Sequence, residues 1–238
     1  AQDVEVQKTL FMPRERNAVI TFYKVLNKNI FDVKIRVFPL VNWRHFHSVT
    51  DRVRIPWEFV QKREDREAGV SLGIPWSALI MRATSGHYSA TGNWIDRIYF
   101  REEARRGESF LDDYYRPGCF EVDAEANKNE NFAVMAVADK NETDARRVLA
   151  EMPATIHDVE ALYAREIERH KNLLSQFYDS YKSIPANNWL SWIILGTDMF
   201  IVKGENNKPS FMIAGYHWFE AWGRDTFISL PGLMLVTQ

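Results

Sequence analysis

Alternation of apolar and polar side chains dominates the first part of the chain. Between residues 31 and 37, four apolar residues alternate with three charged ones. A period of two directs one face of a strand into a core and the other into water. Further short apolar runs, separated by Gly, Pro, Asn and Ser, predict strands at 18–26, 78–83, 94–100, 119–123 and 132–138. Many short strands with such turns are typical of an antiparallel β-sandwich, which we assign to residues 1–142.

A helical period replaces the alternation in the next segment. Apolar residues recur at steps of three and four from Ile156 to Tyr181, which predicts one long helix with a single apolar stripe. Pro153 separates this helix from a shorter one at 144–152. Thr155 with Asp158 resembles a capping box. We therefore predict a helical linker over residues 143–186.

The pattern changes again from residue 187 onward. Residues 189–202 are apolar on every side of a helix, which predicts that this helix is buried. Residues 210–219 are predicted to be extended or loop. A second helix is expected from Arg224 or Asp225 to the end of the chain, kinked or restarted at Pro231.

Composition narrows the class of protein. The 238 residues are 46% hydrophobic and carry a net charge of -2, which is typical of a soluble globular protein of one or two domains. The charge balance excludes a chain-wide nucleic-acid surface and a polybasic membrane anchor. No signal pattern or bilayer-length apolar run is visible, so we expect a cytoplasmic protein. The single Cys119 excludes a disulfide framework and a multi-cysteine zinc site.

Three short motifs give only weak indications of a catalytic or metal site. The G-x-S-x-G match at 69–73 lacks the flanking strand and helix of a nucleophile elbow, so a short strand entering a turn is expected. His45 and His47 can share a strand face, but no further metal ligand can be named. Asp112 and Asp113 are adjacent and would point to opposite faces, so we predict a surface loop rather than a glycosidase pair. We predict neither a metal nor a cofactor, because no phosphate-binding or dinucleotide motif is present.

The strongest local feature is the segment 215–226, GYHWFEAWGRDT. It combines four aromatic residues with one His, one Glu and an Arg–Asp pair. Aromatic rings suit the C–H-rich face of a pyranose. Asp225 can accept hydrogen bonds from two sugar hydroxyls, while Arg224 can donate to sugar oxygens and keep Asp225 ionised. The alternative is a structural Arg–Asp ion pair packed by tryptophan.

The same segment, extended to residue 233, resembles the signature of the amylo-α-1,6-glucosidases, the glycogen debranching enzymes of archaea and bacteria. Segments 38–47, 99–103 and 115–121 resemble parts of that family's N-terminal β-sandwich. The resemblance implies a supersandwich-like antiparallel β-sandwich, a helical linker, and the first helices of a truncated (α/α)6 six-hairpin barrel over residues 187–238.

The resemblance also implies roles for particular residues. A pocket for the non-reducing-end glucose would be formed by Arg224, Asp225, Trp222, Trp218, Tyr216 and Glu220. The general acid and base of the inverting reaction are expected beyond residue 238, so we expect no catalytic residue within the chain and no activity from it alone. The expected partner is a glycogen-like or limit-dextrin α-glucan, and the oligomeric state is not predicted.

Two other functions stay open. A glucoamylase or trehalase relative with the same six-hairpin fold would also use an Arg–Asp pair, since such a pair suits any non-reducing-end glucose. A non-catalytic carbohydrate-binding or structural β-sandwich that carries a remnant of a barrel is the alternative from a different class.

Overall fold

The computed structural model of the protein describes residues 3–55, 59–72, 77–202, 210–216 and 219–235. The chain divides into two compact units, Ala1–Leu162 and Tyr163–Gln238. The first unit is rich in antiparallel β-structure, and the second combines helices with short strands.

The strands of the first unit form two antiparallel sheets. These strands are β1 (Val4–Phe11), β2 (Ala18–Asn27), β3 (Val33–Val37), β4 (Phe59–Glu64), β5 (Glu67–Leu72), β6 (Ala78–Ala83), β7 (His87–Tyr99), β8 (Leu111–Ala124) and β9 (Asn129–Asp139). Six of them pair in the order β1-β2-β9-β6-β5-β4, and the other three in the order β3-β8-β7.

The six-stranded sheet has a core on each of its faces, and strand β2 shows why. Tyr23 and Val25 pack with buried residues of β7 and β8, such as Phe120, between the two sheets. Ile20 and Phe22, on the opposite face of β2, belong to a second core. Because successive side chains of β2 point to opposite faces of the sheet, the strand contributes apolar residues to both cores.

Helices cover the second core. They are α2 (Glu142–Ala150) and the start of the 25-residue α3 (Ile156–Ser180); a short helix α1 (Arg101–Arg105) lies between β7 and β8. Leu149 of α2 and Val159 of α3 are buried against the sheet. The amide of Asp158 donates to Oγ1 of Thr155 over 3.2 Å, and the Thr155 hydroxyl donates to the Asp158 carboxylate over 2.7 Å. The predicted cap of the long helix is therefore present.

The second unit continues with α4 (Asn188–Met199), β10 (Ile201–Val202), β11 (Phe211–Gly215), β12 (Phe219–Ala221), α5 (Gly223–Leu230) and a π-helical turn (Pro231–Leu235). The strands pair in the order β10-β11-β12. Asn187 caps α4, since its side-chain oxygen accepts from the amide of Trp189 over 3.2 Å. Arg169 of α3 pairs with Asp198 of α4 at 2.7 Å, which joins the two helices.

Two predictions from the sequence were wrong. Helix α4 is not a buried helix reaching residue 202, because it ends at Met199 and Trp192 is 74% exposed. Its apolar side chains surround the helix axis, so contacts along one side leave the others in solvent. Asp112 and Asp113 do not form a surface loop; they lie in β8 and are 0% and 8% exposed. Their burial is possible because neighbouring donors satisfy the carboxylates.

Within the described residues, no helix combines the length and apolar character that a membrane crossing requires.

Candidate functional site

The Arg224–Asp225 pair lies in the first turn of helix α5, directly after strand β12. Trp222 is the N-cap, and its extended backbone (φ −121°, ψ 125°) turns the chain from strand into helix. Its carbonyl accepts from the amide and the hydroxyl of Thr226, over 2.9 and 3.0 Å. An acidic residue in this turn is favoured by the positive end of the helix dipole.

Arg224, Asp225 and Trp222 are brought together. Nη2 of Arg224 lies 3.2 Å from Oδ2 of Asp225, with the two side chains 71% and 37% exposed. The guanidinium carbon of Arg224 is 5.7 Å from the centroid of the Trp222 ring. Exposed ion pairs contribute little to stability, so this pair can exchange its mutual contact for contacts with a ligand at small cost.

A cavity of about 300 Å³ opens beside Asp225. Its polar lining comes from Asp225, Thr226 and Ser229 of α5, and its apolar lining includes Phe200 and Met212. The Ser229 hydroxyl donates to the carbonyl of Asp225 over 2.7 Å. Sequence analysis missed Thr226 and Ser229; the signal for Ser229 was its spacing of four residues from Asp225, which places both on one helix face.

Tyr216 has a main-chain partner. Its hydroxyl donates to the carbonyl of Met199 over 2.6 Å, and its ring centroid lies 5.6 Å from that of Phe200. Burial raises the pKa of the Tyr216 phenol. The hydroxyl hydrogen is therefore already donated, and it fastens the end of β11 to the C-terminal end of α4.

Two further residues, Glu220 and Trp218, were predicted to line the site. Glu220 lies in β12 and is exposed. Trp218 lies outside the described residues, as does its neighbour His217.

The motifs that gave only weak indications of a site lie in ordinary structural positions. The G-x-S-x-G match begins in β5, which pairs with β4 and β6. His45 and His47 lie in the long connection after β3, where their ring centroids are 5.5 Å apart. Among the residues that the structure describes, no group of three or more His, Cys, Asp or Glu side chains could hold a metal ion. Cys119 is buried, and burial raises the pKa of its thiol.

Two family models match the chain. Residues 1–130 match the N-terminal region of glycogen debranching enzyme, and residues 195–238 match amylo-α-1,6-glucosidase. The first match alone covers more than half of the chain. The chain belongs to the glycogen debranching enzyme family, a family of glycoside hydrolase type. No curated protein sequence matches it.

Solved structures give more distant likenesses. A human-microbiome protein assigned as a kojibiose phosphorylase is 13% identical over 74% of this chain and 21% of its own, with a TM-score of 0.42. A polysaccharide lyase is 12% identical, with 63% and 22% coverage and a TM-score of 0.38. A bacterial glucoamylase complexed with acarbose is 8% identical, with 63% and 22% coverage and a TM-score of 0.26. The chain spans about a fifth of the length of each structure.

Proposed function

We propose that the chain is part of an amylo-α-1,6-glucosidase that removes α-1,6-linked glucose stubs from glycogen-like glucans. The observation that carries the proposal is the match of residues 195–238 to the amylo-α-1,6-glucosidase model. That segment includes the exposed Arg224–Asp225 pair and the residues that line the adjacent cavity.

In this proposal the non-reducing-end glucose binds beside α5. The Asp225 carboxylate accepts hydrogen bonds from two adjacent sugar hydroxyls, and Arg224 donates to sugar oxygens. The Trp222 ring, half exposed, packs on the C–H face of the sugar. We also assign Tyr216, Glu220 and Trp218 to substrate binding, from their place in the segment 215–226. A cavity of about 300 Å³ is at the small end of the range for ligand sites, which suits one sugar ring.

The chemistry assigned to the whole enzyme is inverting hydrolysis. A carboxylic acid protonates the departing glycosidic oxygen, and a carboxylate about 6.5–9.5 Å away activates a water on the opposite face. We assign neither role to a residue of this chain. Asp225 instead strengthens its hydrogen bonds to the sugar as positive charge develops on the ring, which stabilises the transition state.

The proposed architecture has three parts: a β-sandwich over residues 1–142, a helical linker over 143–186, and the opening of an (α/α)6 barrel over 187–238. Helices α4 and α5 would be its first two helices. Their exposed apolar side chains support this proposal, since Trp192 is 74% and Phe227 is 76% exposed. Further barrel helices packed on these side chains would bury them and gain free energy.

The test uses the natural full-length protein that contains this chain. We expect glucose release from α-1,6-branched limit dextrin, with β-glucose appearing first in the NMR spectrum because inversion converts an α-linkage into the β-anomer. Activity only on unbranched maltooligosaccharides, or only on trehalose, would replace the proposal by the glucoamylase or trehalase alternative. Initial release of the α-anomer would overturn the inverting mechanism.

A further inference from the structure

Buried Asp112 fixes the long connection between β3 and β4. Its Oδ1 accepts from the amide of Thr50 over 2.7 Å and from Nδ2 of Asn42 over 3.0 Å. Its Oδ2 accepts from Nε of Arg44 over 2.8 Å. The Thr50 hydroxyl donates to Oδ1 of Asn42 over 2.6 Å. This connection is therefore held by a satisfied network around a charge that has no solvent contact.

The neighbouring Asp113 holds two further stretches of main chain. Its carboxylate accepts from the amide of Arg52 over 2.9 Å and from the amide of Arg97 over 2.7 Å. Arg97 has a φ of 55°, in the left-handed region, at an irregularity of strand β7. A non-glycine residue in that region is uncommon and stays there only where its surroundings require it. Hydrogen bonds to the two adjacent carboxylates thus hold the connection against the irregular part of β7.

Arg44 extends this network to the main chain that carries three aromatic rings. Its Nη1 donates to the carbonyls of His45 and Phe46, each over 3.2 Å, while its Nε is held by Asp112. The amide of His47 donates to Nδ1 of His45 over 3.2 Å. The exposed end of the connection is therefore pre-organised rather than free to collapse.

His45, Phe46 and His47 form what we call the ring platform. The ring centroids of His45 and Phe46 are 4.1 Å apart with planes inclined at 29°, and those of Phe46 and His47 are 4.5 Å apart. All three residues are exposed, Phe46 at 36%. The three rings are inclined to one another, so the apolar surface offered to a ligand is that of the Phe46 ring, with imidazole nitrogens beside it that can donate or accept hydrogen bonds.

Charges of both signs lie in or beside the connection. They include Arg44, Arg52, Arg54, Arg97, Arg116, Asp51, Asp96, Asp112 and Asp113. Several are paired, including Arg44 with Asp112, Arg52 with Asp96 and Arg54 with Asp51. Pairing of this kind reduces the attraction of the arginines for an anionic ligand.

We infer that the ring platform binds neutral α-glucan, with a glucose ring of the polymer stacked on Phe46. The class of ligand in this inference rests on the proposed function, and the position of the binding site rests on the geometry of the ring platform. A neutral chain of pyranoses presents apolar C–H faces to Phe46 and hydroxyls to the imidazoles. The rigid support lowers the entropy that such a weak, shallow contact must lose on binding.

Glycogen-affinity electrophoresis of the natural full-length protein tests the inference. We expect Phe46→Ala to weaken retention by glycogen about fivefold to tenfold, the scale on which one stacking contact changes affinity. Phe46→Trp should retain wild-type affinity because it keeps a ring. Phe31→Ala is the matched control, since Phe31 is also an exposed phenylalanine, at 59%, in a connection of the first unit. Added salt should leave glycogen retention unchanged, because glycogen is uncharged.

The outcomes separate this inference from the proposed function. If the wild type releases glucose from limit dextrin but Phe46→Ala binds glycogen as tightly, the inference is overturned while the proposed function stands. Equal loss with Phe46→Ala and Phe46→Trp, equal loss with Phe31→Ala, or retention abolished by salt would also overturn it. A wild type that neither binds glycogen nor hydrolyses limit dextrin overturns both.

Discussion

Nε of Arg44 lies 2.8 Å from Oδ2 of Asp112, a carboxylate that is fully buried in strand β8. The Arg44 side chain itself is 26% exposed, so the cation reaches from the surface to a charge in the interior. The aspartate is satisfied by this one cation and by two neutral donors, Asn42 and Thr50. Removing the carboxylate would leave these donors without their acceptor.

Asp112→Ala should therefore lower the free energy of unfolding by about 3 kcal/mol, the scale for breaking a buried ion pair from one side. The measurement is the urea midpoint of the chain followed by circular dichroism. Asp96→Ala is the control, because Asp96 pairs with Arg52 at 3.0 Å with both side chains over 40% exposed; its cost should stay below about 1 kcal/mol. Equal costs for the two variants would contradict the role of Asp112.

Much of the fold was predictable from periodicity where one face of an element is buried. The alternation at 31–37 predicted a strand, observed as β3, and the three-and-four spacing predicted α3 almost to its observed end at Ser180. Strand β1 was missed because most of its residues are exposed, including Val6 at 51% and Leu10 at 61%. An edge strand that lacks cover on one side carries no clear alternation.

The other features that sequence analysis did not predict depend on contacts between residues far apart in the chain. Nothing local in the sequence indicates that Asp112 finds its donors about 60–70 residues earlier in the chain, so the pair was predicted to be at the surface. For the candidate site, the composition of segment 215–226 located Trp222, Arg224 and Asp225. The cavity beside them could not be predicted, because it also needs Phe200 and Met212 from other elements.

Gly118 should not tolerate a side chain. A Cβ at this position would lie 2.1 Å from the carbonyl oxygen of Ser89 and 2.7 Å from the hydroxyl of Tyr88, and the first of these is main chain of the paired strand. We expect Gly118→Ala to destabilise the protein by about 3 kcal/mol, the upper range for overpacking, measured by the urea midpoint.

Gly196 provides the control for the same substitution. It lies within α4, and a Cβ there would have no heavy atom within 4 Å apart from its chain neighbours and the backbone of its own helix. Gly196→Ala should stabilise the protein by about 0.5–1 kcal/mol, because alanine is the better helix former. If both alanine variants shift stability in the same direction, packing at Gly118 does not explain its effect.

Glu121 should make stability depend on acid pH. The hydrogen bond from Arg36, with Nε 2.5 Å from Oε1, holds the pKa of Glu121 below its usual value, helped by nearby Lys34 and His87. A carboxyl whose pKa is lowered by folding stabilises the protein above the unfolded pKa, and that stability is lost as pH falls through the folded value. Glu121→Gln should therefore be less stable than wild type near neutral pH, with the difference shrinking below about pH 4.3.

Urea midpoints measured from neutral to acid pH check this expectation. Asp123→Asn is the control, because Asp123 lies on the same strand but is 69% exposed and touches Lys34 only at 3.8 Å. Its difference from wild type should stay small across the series. If the difference in stability between Glu121→Gln and wild type is constant with pH, the charge of Glu121 does not contribute to stability.

Tyr216→Phe should separate stability from substrate binding. The variant loses the 2.6 Å hydrogen bond to the carbonyl of Met199, which should cost about 1 kcal/mol. The ring remains, so KM for limit dextrin in the full-length enzyme should stay close to wild type. Tyr99→Phe, at an exposed tyrosine of β7, is the control for stability. A raised KM with unchanged stability would instead mean that the hydroxyl contacts the substrate.

Asp225→Asn tests the proposed glucose pocket most directly. The amide keeps the size of the side chain but loses the charge, and one amide oxygen cannot replace two carboxylate oxygens as an acceptor for sugar hydroxyls. In the full-length enzyme, kcat/KM for limit dextrin should fall about 100-fold, as expected when a charge-assisted contact to the transition state is lost. The urea midpoint should hardly change, because the Arg224–Asp225 pair is exposed. Asp179→Asn, at an exposed aspartate of α3, should leave both quantities unchanged, and wild-type kinetics for Asp225→Asn would remove Asp225 from the pocket.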